Sequence, residues 1–210
     1  VLLVAPSDHV IPETNDFHES IKVGLTHAQN RKMVTFGIKP THPETGYGYL
    51  ELSIDPLDDY GSSDLKTFVE KPNLQNAKQM VEAGNYLWNA GIFLFRAQDM
   101  IDAFRTYTPE TLDLVSQSIN EASADLGFLR LAAEPWSKIE GISIDYAIME
   151  KAQNLVAVPY ASKWSDLGGW DAVWLESEPD TSGNVTSETA HAIECSNSLL
   201  RSESGSQQVV

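Results

Sequence analysis

The sequence predicts an α/β protein whose sheet is mixed and mostly parallel. Two short apolar runs, 1–5 and 33–38, flank a segment over 16–29 that carries apolar residues at helical spacing. This order and spacing are those of a βαβ unit, in which the connecting helix packs on the sheet. The unbroken apolar run over 1–5 is typical of a strand that is buried on both faces, as in a parallel sheet.

The alternation of strands and helices continues to about residue 180. Two prolines and two glycines in 39–51 predict a long loop that leads into a strand. After residue 180 the chain becomes rich in Ser, Thr, Asn and Gly, so we expect a core domain over 1–180 and the beginning of a β-rich segment over 181–210. Further strands are predicted at 65–70, 86–96 and 155–160, and further helices at 73–83, 99–107, 110–126, 146–151 and the end of 164–174.

Charge and composition argue against several classes of protein. The chain has 14 Lys and Arg against 30 Asp and Glu, which gives a net charge of -16. Proteins that bind nucleic acid or anionic membrane surfaces use basic patches, so we expect neither partner. No apolar run approaches the roughly 18 residues of a membrane span. The one cysteine, Cys195, cannot form an internal disulfide and favours a reducing, cytoplasmic location.

Two aspartates are placed where a metal ion could bind. Asp8 comes directly after the first strand, at the carboxyl end of the predicted sheet, where open α/β folds bind their ligands. Asp166 lies in the glycine-rich segment 164–170. Together the two carboxylates could hold Mg²⁺ with the help of phosphate oxygens. Taken singly, Asp8 also fits an ordinary turn, and Asp166 fits a helix cap.

A second group of residues has the chemistry of a sugar site. Glu70 can accept hydrogen bonds from hydroxyls and Lys71 can pair with a phosphate, while Pro72 restrains the backbone of Lys71. Gly48 would let the backbone approach a ligand closely, and Asn89 needs hydrogen-bond partners within an apolar strand. A solvated ion pair, an ordinary loop and a backbone partner for Asn89 are the alternatives.

Six motifs follow one another along the chain, and in this order they are specific although each alone is weak. They are Ala5-Pro-Ser-Asp-His9, Glu44-Thr-Gly-Tyr-Gly-Tyr49, Phe68-Val-Glu-Lys-Pro72, Trp88-Asn-Ala-Gly-Ile-Phe93, Ser143-Ile-Asp-Tyr-Ala-Ile-Met-Glu-Lys151 and Trp164-Ser-Asp-Leu-Gly-Gly-Trp170. The series resembles the mannose-1-phosphate guanylyltransferase family, including its bifunctional members with a mannose-6-phosphate isomerase module. The resemblance covers nearly the whole chain.

The resemblance implies a Rossmann-like nucleotidyltransferase domain, followed by a left-handed parallel β-helix that would begin near Asn184. It implies that GTP and mannose 1-phosphate react to give GDP-mannose and pyrophosphate, with Mg²⁺ bound by Asp8 and Asp166. A homodimer is one assembly that we expect. The implied catalytic residues are Asp8, Lys71 and Asp166, and the implied substrate contacts are Tyr47, Gly48, Glu70, Lys71, Asn89 and Asp145.

The sequence also departs from the family pattern. The family opens with a loop of the type Gly-x-Gly-x-Arg-Leu and a following lysine, and neither these nor the isomerase module occurs here. We therefore expect the chain to be a fragment of the enzyme, truncated at both ends. Two alternatives are a transferase for another sugar 1-phosphate and nucleotide, and a non-catalytic relative that binds sugar nucleotides. The absent loop suits the non-catalytic relative, whereas Asp8, Asp166 and Lys71 argue against it.

Overall fold

The computed structural model describes residues 1–53 and 61–202, which form two compact units. The first unit comprises Val1–Pro6 and Thr14–Ser162, and the second comprises Ser7–Glu13 with the segment that begins at Lys163. The boundary expected near residue 180 and the β-helix expected after it stay predictions. Residues 203–210 of that segment lie outside the described residues.

The strands of the described chain belong to one large sheet and two small ones. The large sheet lies in the first unit and has the order β1-β5-β2-β8-β4-β3, with β3 also pairing with β5. The strands are β1 (Leu2–Val4), β2 (Met33–Ile38), β3 (Tyr49–Leu52), β4 (Ser63–Val69), β5 (Tyr86–Phe95), β6 (Ser123–Asp125), β7 (Phe128–Arg130), β8 (Leu155–Tyr160), β9 (Val185–Thr186) and β10 (Leu199–Leu200).

The large sheet is mixed, as predicted, but it is not mostly parallel. Among its described strands, only β2 and β8 pair in parallel. The ten-residue strand β5 runs antiparallel to β1, β2 and β3, and this one strand accounts for half of the pairings in the sheet. The expected βαβ unit is still present, because β1 and β2 both run antiparallel to β5, which lies between them.

The prediction that the first strand is buried on both faces is wrong. The residues of β1 are 43% to 50% exposed, because this strand lies at the edge of the sheet and pairs with β5 alone among the described strands. The apolar run was informative about strand formation but not about burial.

The helices follow the predicted pattern closely, and α2 shows why. Asn73 precedes this helix and accepts a hydrogen bond from the amide of Asn76 (2.9 Å), while Gly84 ends it in the left-handed conformation at φ 74°. The helix expected over 110–126 instead ends at Asn120, and the chain then enters the β6–β7 hairpin. The helices are α1 (Thr14–Gln29), α2 (Leu74–Ala83), α3 (Ala97–Tyr107), α4 (Pro109–Asn120), α5 (Ala133–Trp136), a π-helical turn (Asp145–Met149) and α6 (Trp170–Leu175).

The main core of the first unit lies between the large sheet and the elements that pack on it. Its buried apolar residues come from β2 to β5, α3, the π-helical turn and β8, and include Met33, Leu50, Phe68, Phe93, Met100 and Ile148. Within the described residues, no helix is both long enough and apolar enough to cross a membrane.

Candidate active site

The strand end after β4 carries the first predicted pair, Glu70 and Lys71. A following proline restrains the backbone of Lys71 and generally favours an extended conformation. The structure instead places Lys71 in the left-handed region at φ 48°, which is unfavourable for a residue with a side chain. The chain therefore makes a sharp corner between Glu70 and Pro72, and strained backbone of this kind is often found at functional sites.

The Glu70 carboxylate is buried and only partly satisfied. Its side chain is 8% exposed, and Oε1 lies 3.3 Å from Nζ of Lys71, whose own side chain is 56% exposed. The other oxygen, Oε2, is buried and has no hydrogen-bond partner among the described residues. A buried carboxylate oxygen without a donor is costly, so this atom is suited to accept a hydrogen bond from a ligand.

Gly48 closes over this carboxylate. A Cβ atom at this position would lie 2.5 Å from Oε2 of Glu70 and 3.3 Å from Cβ of Asn89. The Gly48 carbonyl also accepts a hydrogen bond from the backbone amide of Asn89 (2.8 Å), which holds the two segments together. The predicted proximity of these three residues is thus present, and glycine is required because any side chain would fill the space.

Asn89 has its side-chain amide fixed on both ends. Its Oδ1 accepts hydrogen bonds from Oγ1 of Thr35 (2.8 Å) and from the Gly91 amide (3.1 Å), and its Nδ2 donates to Oδ1 of Asp145 (3.2 Å). Gly91 has φ 68° and lies where the β2–β5 register shifts, so a bulge brings its amide round to Asn89. The side-chain amide of Asn89 is therefore satisfied by two side chains as well as by the backbone.

Glu70 and Asp145 form a pair of carboxyl groups that resist ionisation. Burial raises the pKa of Glu70, and the charge of Asp145 raises it further, while Lys71 acts in the opposite direction. Burial also raises the pKa of Asp145, against the lowering effects of its own backbone amide and of Asn89. We call the group formed by Gly48, Glu70, Lys71, Asn89 and Asp145 the corner pocket.

Two further residues support the corner pocket and were not identified from the sequence. Thr35 is fully buried and orients Asn89, and Glu150 accepts a hydrogen bond from the Glu70 amide through Oε1 (2.9 Å). Thr35 is the one polar residue with a side chain in the apolar run 33–38, and Glu150 belongs to the motif that ends at Lys151. Tyr47 packs edge-on against Trp88, with ring centroids 5.2 Å apart. Its role as a substrate contact stays a prediction.

The second unit brings the segments of Asp8 and Asp166 side by side. Val10 and Ser165 form an antiparallel bridge with two backbone hydrogen bonds of 2.9 and 3.1 Å. Burial lowers the pKa of His9, whereas the charges of Asp166 and Asp8 both act to raise it.

His9 and Asp166 each have a local hydrogen-bond partner. The ring of His9 accepts a hydrogen bond at Nδ1 from Nε1 of Trp164 (3.3 Å). Asp166 accepts one from the Gly168 amide (3.0 Å) in a tight turn. Helix α6 begins after Gly169, which has no side-chain cap, so Asp166 is not the cap of this helix. In 1–53 and 61–202, no group of three or more His, Cys, Asp or Glu side chains is arranged to hold a metal ion.

Comparisons with known proteins agree with the family inferred from the six motifs. The family model described as "Nucleotidyl transferase" matches residues 1–183. The chain is 42% identical over 202 residues to a mannose-1-phosphate guanylyltransferase of Sinorhizobium fredii, with 96% of this chain and 39% of that protein covered. It is 36% identical over 207 residues to a mannose-1-phosphate guanylyltransferase of Escherichia coli, with 98% of this chain and 45% of that protein covered. The chain thus spans less than half the length of these relatives.

Solved structures also resemble this fold. A crystal structure described as mannose-1-phosphate geranyltransferase from Thermus thermophilus superimposes with a TM-score of 0.79 at 30% identity, covering 96% of this chain and 57% of that one. A structure described as mannose-6-phosphate isomerase from Helicobacter pylori gives a TM-score of 0.70 at 31% identity, covering 79% and 63%. The chain belongs to the nucleotidyl transferase family.

Proposed function

We propose that this chain is the nucleotidyltransferase part of an enzyme that joins GTP and mannose 1-phosphate to give GDP-mannose and pyrophosphate. The observation that carries the proposal is the corner pocket, where a buried carboxylate oxygen of Glu70 lacks a donor beside the fixed amide of Asn89. The named relatives, which are mannose-1-phosphate guanylyltransferases, support the choice of mannose and GTP. The cytoplasmic location and homodimer expected from the sequence belong to the same proposal.

The corner pocket supplies the contacts that a sugar phosphate needs. Glu70 would accept hydrogen bonds from sugar hydroxyls, and Gly48, Asn89 and Asp145 would line the same pocket. Lys71, the cation paired with Glu70, would bind the phosphate as a point charge.

Chemistry at this site would rest on positioning and charge. The nucleophile is a phosphate oxygen of the sugar phosphate, which is already an anion, so no general base is needed. The barrier lies in bringing two anions together and in the charge that develops at the α-phosphorus. Lys71 would offset part of that charge, and the buried contacts of Glu70 would hold the sugar so that its phosphate keeps one orientation.

We assign Mg²⁺ to Asp8 and Asp166. Nucleotidyl transferases of this family generally use a divalent metal. Two carboxylates fit this ion, because Mg²⁺ prefers oxygen ligands and is usually held by one or two carboxylates together with water and phosphate oxygens. When bound, the ion would neutralise phosphate charge. The antiparallel bridge between Val10 and Ser165, which brings the two aspartate segments side by side, supports this assignment.

Isothermal calorimetry tests the proposal in two steps. We expect the chain to bind mannose 1-phosphate more tightly than glucose 1-phosphate, and to bind GDP-mannose more tightly with Mg²⁺ than without it. Asp166→Ala should weaken Mg²⁺-dependent binding by roughly tenfold, because a direct charged contact is lost. Asp113→Ala, which removes an exposed carboxylate from α4, is the matched control and should change nothing.

Each outcome separates the alternatives. Equal binding of both sugar phosphates would indicate a transferase for another sugar. GDP-mannose binding that ignores Mg²⁺ and Asp166 would favour a non-catalytic relative and overturn the metal assignment. Binding of neither sugar phosphate would remove the corner pocket as a sugar site in this chain.

A further inference from the structure

The corner after β4 is held by a residue that is 80 positions away in sequence. Strand β4 ends at Val69, and the next amide, that of Glu70, donates its hydrogen bond to Oε1 of Glu150 at 2.9 Å. This bond bears on the corner pocket, because Glu70, whose backbone amide it holds, also carries the carboxylate that lies against Gly48.

Glu150 is itself firmly placed. It follows the π-helical turn Asp145–Met149, and its amide donates to the Asp145 carbonyl at 2.9 Å. Ile148 and Met149, directly before it, are buried in the main core. One rigid turn therefore supplies both the Asp145 carboxylate, which faces Asn89, and the Glu150 carboxylate, which holds the corner.

The backbone at this corner needs an external restraint. Lys71 has φ 48° although it has a side chain and precedes a proline, and both features disfavour this conformation. Strained residues keep such a conformation only when their surroundings impose it. The bond from Glu150 acts on the adjacent peptide, which is where a restraint would fix the directions of Glu70 and Lys71 together.

The charge of Glu150 argues against a direct role in binding a phosphate. Glu150 lies close enough to contribute to the raised pKa values of both Glu70 and Asp145. A third carboxylate beside a pocket for a phosphorylated ligand is unfavourable by itself. Its contact with the Glu70 amide gives a physical reason for a carboxylate in this place.

We propose that Glu150 is a positioning residue for the sugar phosphate: its carboxylate holds the Glu70 amide and thereby aims Glu70 and Lys71 into the corner pocket. The inference rests on the proposed function, and it adds a requirement that the side chain at position 150 be a hydrogen-bond acceptor. A glutamine meets this requirement through its amide oxygen, whereas an alanine does not.

Two variants and a control test this role. Glu150→Ala removes the acceptor, Glu150→Gln keeps an acceptor without the charge, and Glu82→Ala removes an exposed carboxylate of α2 elsewhere. We measure hydrogen exchange of the Glu70 amide by NMR without ligand, and mannose 1-phosphate affinity by calorimetry. In Glu150→Ala, exchange should be roughly tenfold faster and affinity roughly five- to tenfold weaker, as for the loss of one hydrogen bond to a charged group.

The conservative variant distinguishes positioning from a general effect on the fold. Glu150→Gln should exchange at nearly the wild-type rate and bind within about twofold of wild type or more tightly, because repulsion of the phosphate is reduced. Wild-type affinity in Glu150→Ala, or an equal loss in both variants, would overturn the inference.

Hydrogen exchange of the Glu70 amide, measured without ligand, tests the role of Glu150 separately from the proposed function. If the wild-type chain binds no sugar phosphate, the proposed function fails, and the positioning role fails with it. If the wild type binds but Glu70 exchange does not respond to Glu150→Ala, the proposed function stands and the inference alone is wrong.

Discussion

The corner pocket and the paired aspartate segments are organised in different ways. In the pocket, three hydrogen bonds join residues that are 54 to 80 positions apart: Thr35 with Asn89, Asn89 with Asp145, and Glu70 with Glu150. In the second unit, Asp166 is bonded to an amide two residues away within its own turn. The pocket is therefore oriented by long-range contacts within the packed sheet, whereas the contact between Asp166 and the Gly168 amide is local.

This difference is consistent with the ligands that we propose for the two regions. A sugar has a fixed set of hydroxyl directions, so its site gains from groups that are already oriented before binding. In the metal site that we propose, a hydrated Mg²⁺ with phosphate ligands would complete its own coordination shell, so a locally held carboxylate would be sufficient. Three experiments test whether the contrast between long-range and local support is real.

The largest effect is expected at Gly48. In Gly48→Ala the new methyl group would lie 2.5 Å from Oε2 of Glu70, so the corner pocket must deform. We expect mannose 1-phosphate affinity to fall by roughly 30-fold, or about 2 kcal/mol, measured by calorimetry. Gly141→Ala is the control, because a Cβ there meets nothing within 4 Å. Similar affinities for the two variants would show that the pocket is not tightly closed.

Glu70→Gln should stabilise the protein while it weakens binding. Burial raises the pKa of Glu70, which means that the folded state disfavours its charge, so removing the charge should increase the free energy of unfolding at neutral pH. As pH falls, the folded wild type takes up its proton before the unfolded chain does, so the wild type gains stability and the difference should shrink towards pH of about 4. Thermal unfolding of both proteins across this pH range measures the difference in their stability. A difference that grows as the pH falls would contradict the prediction. Sugar-phosphate affinity should fall roughly tenfold.

The smallest effects compare two hydroxyl groups. Thr35→Val removes the donor that orients Asn89 from another strand, and Ser165→Ala removes the acceptor for the Leu167 amide within one turn. We expect Thr35→Val to cost about 1 kcal/mol of stability and roughly fivefold in mannose 1-phosphate affinity. We expect Ser165→Ala to change Mg²⁺-dependent binding less than about twofold. Urea unfolding measures the stability of the two variants and calorimetry measures their binding. A larger effect in Ser165→Ala than in Thr35→Val would refute the contrast between long-range and local support.

Local sequence signals predicted the elements well. Strands β2 and β8 have the predicted bounds, and α2 lies between the Asn73 cap and the Gly84 stop because both signals act over a few residues. The edge position and exposure of β1 could not be predicted in this way, since they depend on pairing with β5, more than 80 residues later.

The residue types of the corner pocket could be predicted from the sequence, but its backbone conformation and its hydrogen bonds could not. Gly48, Glu70 and Asn89 could be chosen by residue type and motif, and they do come together. The left-handed backbone of Lys71 contradicts the local effect of Pro72, and the Glu150 contact spans 80 residues. Such features arise from tertiary structure, which overrides local preference at strained sites.

The π-helical turn makes chain length itself a determinant of the pocket. The bond between the Glu150 amide and the Asp145 carbonyl spans five residues, one more than in an α-helix. Deleting any one residue from 146–149 would leave the four-residue spacing of an α-helix, in which the two flanking carboxylates would still share a face but would lose the wider π-helical turn between them. Related sequences with a one-residue gap here should therefore hold the two carboxylates at a changed spacing, even where both acidic residues are retained.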